Sequence, residues 1–366
     1  MGETLKAHAM MLTLARESRG MSQTSLADAM SKLAGEPISQ GYVSKAEAGK
    51  LAVDGERLAL YGRVLRYPVG VLCVDAEMNG VGIGLVHHRK KASLGAKELR
   101  RIHAQLAMAW LQVRGLVEPR VRGAHRFERI GVSDLDTPAE AAQALRKLWG
   151  LPAGPVADLI GVVESAGGMV LVRDLDTPDL DAVSQWDGVD APLFLLSAHA
   201  PADRFRFTFA HEVGHVVMHA EPGATALQER QADEFASEFL MPAADIADEL
   251  GGSLDLARLL ALKQRWGVSM AALARTALTL SQISEWQYRN LVIEMSTLGY
   301  KKQEPGEIHR EVPRAIAAAA RSLAHQHGLS RAADQVGVLP EEYSLLFAPH
   351  PGSACGDAGS SHHDVD

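Results

Sequence analysis

Apolar residues recur at helical spacing through residues 5–72. Leu12, Leu14, Leu26, Ala27, Met30, Val43 and Ala46 fall on the three- and four-residue steps that line a helix face, and Gly20, Gly35-Glu36-Pro37 and Gly49 punctuate them. Ser22 and Ser39 stand where a side-chain oxygen can cap the helix that follows. The pattern predicts short helices joined by tight turns. Residues 94–118 predict one longer helix and residues 123–138 a linker. Thr137 then caps "PAEAAQALRKLWG", with Pro138 at the first helical position, where a missing N–H removes no hydrogen bond. Another helix is expected over 155–166. "GGMVLVRDL", "LDAVSQW" and "APLFLLSA" are apolar runs bounded by Gly, Pro and Asp, and predict three short strands. A helix from Asp203 to His219 and one from Gln228 to Leu240, stopped by Pro242, come next. Residues 254–347 are helical in character with a break at "KKQEPGE", and no repeat of fixed period is present. The last stretch has the composition of a disordered tail, whose His-His pair reads as solvated.

Length and composition narrow the classes. The chain has 366 residues, 47% hydrophobic and 22% charged, enough for two or three globular domains. Two cysteines, Cys73 and Cys355, support neither a disulfide framework nor a cysteine-based zinc site, which points to a reducing compartment. The first residues lack a signal-peptide pattern and nowhere is there a run of roughly 20 apolar residues, so a cytoplasmic protein without a membrane span is expected. The net charge of −8 argues against indiscriminate nucleic-acid binding, yet it is unevenly spread. Residues 1–70 carry nine Lys/Arg against seven Asp/Glu, and Arg89–Arg101 holds six basic residues with only Glu98 opposing them. That fits a local DNA-binding surface. Taken by itself, the Arg89–Arg101 run reads more simply as a solvated face.

The stretch "MSQTSLADAM…ISQGYVSKAEAGK" resembles the lambda-repressor-like helix-turn-helix family over about the first 70 residues. Ser22-Gln23 opens the first motif helix, Leu26-Ala27 packs it, and Ser44, Glu47 and Gly49 fit the family's ending. The turn around "KLAGEP" is longer than the family's. A recognition helix needs a polar face over a packed one so that base edges can be read in the major groove. Gln40, Tyr42 and Lys45 would lie on such a face, with Val43 and Ala46 turned inward, and Gln23 suits a phosphate contact near a helix N-terminus. The resemblance implies base or backbone contacts at Ser39, Gln40, Tyr42 and Lys45, and binding of a double-stranded operator as a homodimer.

His211-Glu212-Val213-Gly214-His215 is an H-E-x-x-H match. Positions four apart share a helix face, so both imidazoles can reach one ion, and Glu212 beside them can take a proton from an attacking water. A catalytic zinc site needs three protein ligands and one open position. "ERQADEFASEFLMP" resembles the second motif helix of the ImmA/IrrE metallopeptidases, which makes Glu229 the third ligand of a Zn2+ ion. Glu234 and Glu238 are the alternatives, and Asp233 is placed to orient a ligand. His219 lies four residues past His215 but not at metzincin spacing, and reads as a supporting or packing residue. His87-His88 and His103 have no partners at ligand spacing. The tryptophans, Trp149 and Trp186 among them, read as core anchors.

The expected fold is α+β and mostly helical. It comprises a helix-turn-helix domain over 1–75, a helical linker over 76–130, a gluzincin-like metallopeptidase domain with a small sheet over 131–250, a C-terminal helical domain over 251–348, and a tail over 349–366. The resemblance implies a zinc endopeptidase that cleaves a regulatory protein, such as a repressor, or itself after a stress or mobile-element signal. The alternative is a repressor or antitoxin that silences its own operon, with a toxin as partner and the zinc domain as sensor. A general degradative peptidase is disfavoured, because a DNA-binding module serves no purpose there.

Overall fold

The computed structural model describes residues 5–76, 85–88, 95–130, 137–177, 180–220 and 225–347. Five helices lead: α1 (Ala9–Ser18), α2 (Gln23–Ala34), α3 (Gln40–Glu47), α4 (Gly55–Leu65) and α5 (Val69–Leu72). Strand β1 (Leu85–His88) precedes the long α6 (Ala96–Leu116), then α7 (Pro119–Arg122), α8 (Pro138–Trp149) and α9 (Leu159–Ser165). Strands β2 (Met169–Arg173), β3 (Ala182–Trp186) and β4 (Leu193–Ser197) lead into α10 (Ala202–Met218) and α11 (Ala226–Leu240). The chain continues through α12 (Ala243–Leu250), α13 (Leu256–Trp266), α14 (Met270–Thr279) and α15 (Glu285–Thr297) to α16 (Ala315–His327), α17 (Leu329–Val336) and α18 (Pro340–Phe347). Among the described residues no helix is long and apolar enough to cross a membrane.

The strands form one sheet in the order β1-β3-β4-β2, antiparallel except for the β2–β4 pair. In β2, β3 and β4 successive side chains alternate between two buried faces, which is why these strands read as apolar runs. Val170, Ala182, Trp186, Phe194 and Leu196 face the core built on α8, α10, α11 and α13–α15. Met169, Leu171, Val183, Leu193 and Leu195 face a second core with α6 and α16–α18. Ser184, two residues from both Ala182 and Trp186, therefore lies on the α10 side of the sheet.

A third core belongs to α1–α5. Helix α6 joins it to the second core: Ile102, Leu106, Ala109, Trp110 and Val113 pack toward the sheet and α17, while Ala107 and Met108 pack among the α1–α5 residues. The break near residue 304 is pinned by ion pairs. Lys263, 2% exposed, meets Asp203 at 2.6 Å and Glu304 at 3.0 Å, and Arg206 pairs with Glu311.

Three expectations change. The sheet has a fourth strand, β1, within the stretch expected to be a helical linker. Residues 123–130 are not a loose connection: Phe127 is buried against Trp149, Trp186 and Phe194, and the backbone bonds to Ala166 and Val217. Of the tryptophans, Trp286 is 73% exposed on α15 rather than a core anchor. The predicted tail, with its His-His pair, lies outside the described residues, as do residues 89–94 of the basic run and the side chains of His87 and His88.

Candidate metal centre and DNA-binding surface

Helices α10 and α11 pack face to face because glycine lets them. A Cβ on Gly214 would come within 2.8 Å of the Phe235 ring. This close approach sets the first turn of α11, capped by Thr225, against the histidines of α10. His211 and His215 are fully buried. Their Nε2 atoms are 3.0 Å apart, and the Glu229 carboxylate lies 3.6 Å from the first and 3.3 Å from the second. One donor atom from each of the three residues falls within 4.8 Å of the others, and among the described residues this is the group so arranged.

The remaining imidazole nitrogens have protein partners. His211 Nδ1 lies 2.8 Å from Asp233 Oδ1, His215 Nδ1 lies 2.8 Å from His219 Nδ1, and His219 Nε2 lies 3.1 Å from Gln231 Oε1. One tautomer set satisfies all of these: His211 donates to Asp233, His219 donates to Gln231, and His215 donates to His219. Both Nε2 lone pairs then point into one space beside a carboxylate, an arrangement that a divalent cation satisfies. Two imidazoles, one carboxylate and hydrogen-bonded outer nitrogens are the donor chemistry of zinc. When no ion is held, a proton on Nε2 takes its place: burial pushes the Glu229 carboxyl up, but hydrogen bonds from His211 and His215 outweigh this and hold it well below the usual carboxylate range. His219 is pushed down to about 4 by burial and the neighbouring His215.

Glu212 is also fully buried. Ser184 Oγ donates to its Oε2 at 2.6 Å, while Oε1 has no hydrogen-bond partner among the described residues. The other glutamates of α11 face elsewhere: Glu238 accepts from Gln143 at 2.7 Å and from the Ala243 N–H at 3.0 Å, and Glu234 bonds the backbone of Ala139 on α8. Arg129 donates to the Val216 and His219 carbonyls, each at 2.6 Å, and so satisfies the C-terminal end of α10.

In the N-terminal helices, Ser22 and Ser25 form a reciprocal cap on α2, and Ser39 Oγ accepts from Tyr42 N–H to cap α3. The long turn between these helices is fixed by Gly35 in a left-handed conformation and by Ser31 Oγ, which accepts from the Ile38 N–H at 2.8 Å. Val43 and Ala46 are buried, while Ser39, Gln40 and Lys45 are exposed and Tyr42 is half-buried beside Arg57. Arg16 forms a forked pair with Glu47 at 2.6 and 2.9 Å. Gln23 donates to Glu47 at 2.9 Å and accepts from Gln40 at 2.7 Å, which ties the α2 N-terminus to the α3 face.

Residues 12–72 match the helix-turn-helix family and residues 163–278 match the IrrE N-terminal-like domain family. The chain joins a helix-turn-helix module to an IrrE-like, metallopeptidase-like domain. No curated protein matches it. The IrrE-like match contains α10, α11 and the three strands β2–β4; β1, α6 and α8 lie outside it.

Several neighbours of the site were not marked by motif. Gln231 and Ser184 carry no spacing signal, because each reaches the site through tertiary packing. The separation of Glu234 and Glu238 from Glu229 was available in principle. At about 100° per residue they stand about 140° and 180° around α11 from Glu229, whereas Asp233 stands about 40° from it. The basic run also acquires a place: Lys97 and Arg100 line a cleft with Arg16 and Ser22, next to the N-terminus of α2.

Proposed function

We propose that the chain is a DNA-binding transcriptional regulator whose IrrE-like domain is a zinc endopeptidase, acting on a regulatory protein or on the chain itself. The observation that carries this reading is the convergence of His211, His215 and Glu229 beside a buried Glu212, one of whose oxygens has no partner among the described residues. His211, His215 and Glu229 would hold the ion, which when bound supplies Lewis-acid polarisation of the scissile carbonyl. Asp233 and His219 fix the imidazole tautomers. Ser184 holds one Glu212 oxygen, so the other is free to take a proton from the attacking water and return it to the leaving amine.

The helix-turn-helix module supports binding of an operator, with Gln40, Tyr42 and Lys45 toward base edges and Ser39 and Gln23 toward the backbone. Two-fold operators call for a homodimer. A second reading, a repressor or antitoxin in which the zinc domain senses a signal without cleaving, draws on the packing of the module against α6, which also contacts the sheet. Glu212→Gln separates the two. It removes the base and keeps the metal ligands, and loss of a general base slows a reaction about 10²–10⁴-fold. The measurement is reporter expression with an immunoblot for a shortened product, before and after stress. Induction and cleavage are lost in Glu212→Gln if the domain is a peptidase. Normal induction with no cleaved product in either strain leaves the sensor.

A further inference from the structure

A cavity of about 470 Å³ lies where the helix-turn-helix module, α6, the end of β2 and α18 meet. That is the size of a small-ligand site. Its walls are mixed. Met108, Val172, Leu195 and Leu346 supply apolar surface, and Arg173, Gln105 and Gln112 supply polar groups.

The charges around it are unequally matched. The acids on its rim are engaged: Asp174 pairs with His199 at 3.1 Å, and Glu342 with Arg19 at 3.1 Å and Arg66 at 3.3 Å. Asp176 lies 3.9 Å from Arg101. Arg173 differs. It donates through Nη2 to Gln112 Oε1 at 2.8 Å, and among the described residues no carboxylate lies within ion-pair distance of it. Among the described residues its Nε is buried without a partner, and so is Gln105 Oε1. An unpaired guanidinium donor in a partly apolar cavity is costly unless something completes it.

We infer that this cavity binds a small organic acid, with its carboxylate on Arg173 and its apolar body against Met108, Leu195 and Leu346. Gln105 Oε1 accepts from a hydroxyl or amino group on the ligand where one is present. A planar guanidinium suits a carboxylate better than a compact ammonium does. Ser18, Arg19 and Tyr67 on one wall belong to the helix-turn-helix module, and Arg173 belongs to the IrrE-like domain. The acid therefore binds only while the two are docked, and its presence stabilises that docked arrangement. The site is separate from the histidine cluster, so the inference stands apart from the peptidase reading.

The test is thermal unfolding of the full chain in 5 mM hexanoate, benzoate, phenylacetate or 2-hydroxyhexanoate, each against equal sodium chloride. At least one acid raises the melting temperature by about 2 °C or more, and Arg173→Met abolishes the rise. If Arg173→Met does not fold, Leu346→Trp takes its place: it fills the cavity, leaves Arg173 intact, and also abolishes the rise. No rise with any of the four acids overturns the inference, and so does a rise that persists in the folded variant.

Discussion

Asp233→Ala tests whether the residues around the three donors do the work assigned to them. The Asp233 carboxylate lies 2.8 Å from His211 Nδ1, on the side of the ring away from Glu229 and His215. If His211 holds zinc through Nε2, Asp233 fixes its tautomer and raises its basicity. Removing such a partner costs about 10–100-fold in metal affinity, which is about 1.4–2.8 kcal/mol. The Asp233 side chain is 44% exposed, so solvent weakens its pull and the lower end applies. Asp233→Asn retains an oxygen that can accept from Nδ1–H, and should stay closer to the parent than Asp233→Ala. The assay is competition for zinc between the stripped full chain and a chromogenic chelator. Parent-like affinity in Asp233→Ala would remove Asp233 from the centre, and equal losses in both variants would show that the negative charge matters rather than the bond.

Further outcomes follow from the packing and from the surface proposed to face DNA. Gly214→Ala gains about 1 kcal/mol of helix propensity, but its Cβ would meet Phe235, which is fully buried and stacked on Phe239. Overpacking of this kind costs about 1–3 kcal/mol. Chemical denaturation should show a net loss of stability, and a gain would mean that α11 can move away. Gln40→Ala and Lys45→Ala should each weaken operator binding by about 1–3 kcal/mol in a gel shift, and unchanged affinity in both would move base reading off α3. Arg100→Ala should weaken binding to all sequences alike and reduce the salt slope by about one, whereas an unchanged slope would separate α6 from the DNA.

Local chemistry was readable wherever it depends on neighbours in sequence. The caps at Ser22, Ser39 and Thr137, the apolar runs of β2–β4 and the i, i+4 pairing of His211 with His215 all have that character. What depends on distant residues was not readable. β1 gives no signal in the sequence because a four-residue strand leaves too short a pattern, and it is held by pairing with β3. Phe127 sits in a polar stretch that looks like a linker, and only its place among Trp149, Trp186 and Phe194 makes it core. α6 showed as a helix, but its two packing faces become visible only with the sheet on one side and α1 on the other. Ser184 reaches Glu212 because β3 lies beneath α10, and that follows from the strand order.

The central claim is that His211, His215 and Glu229 together hold one zinc ion. Elemental analysis of the purified full chain tests it most directly, comparing the parent with Glu229→Ala and Glu234→Ala. The account predicts one zinc per chain in the parent and in Glu234→Ala, and little or none in Glu229→Ala, because two imidazoles rarely suffice where three ligands hold the ion. Full zinc occupancy in Glu229→Ala, or none in the parent after expression in zinc-supplemented medium, would contradict it.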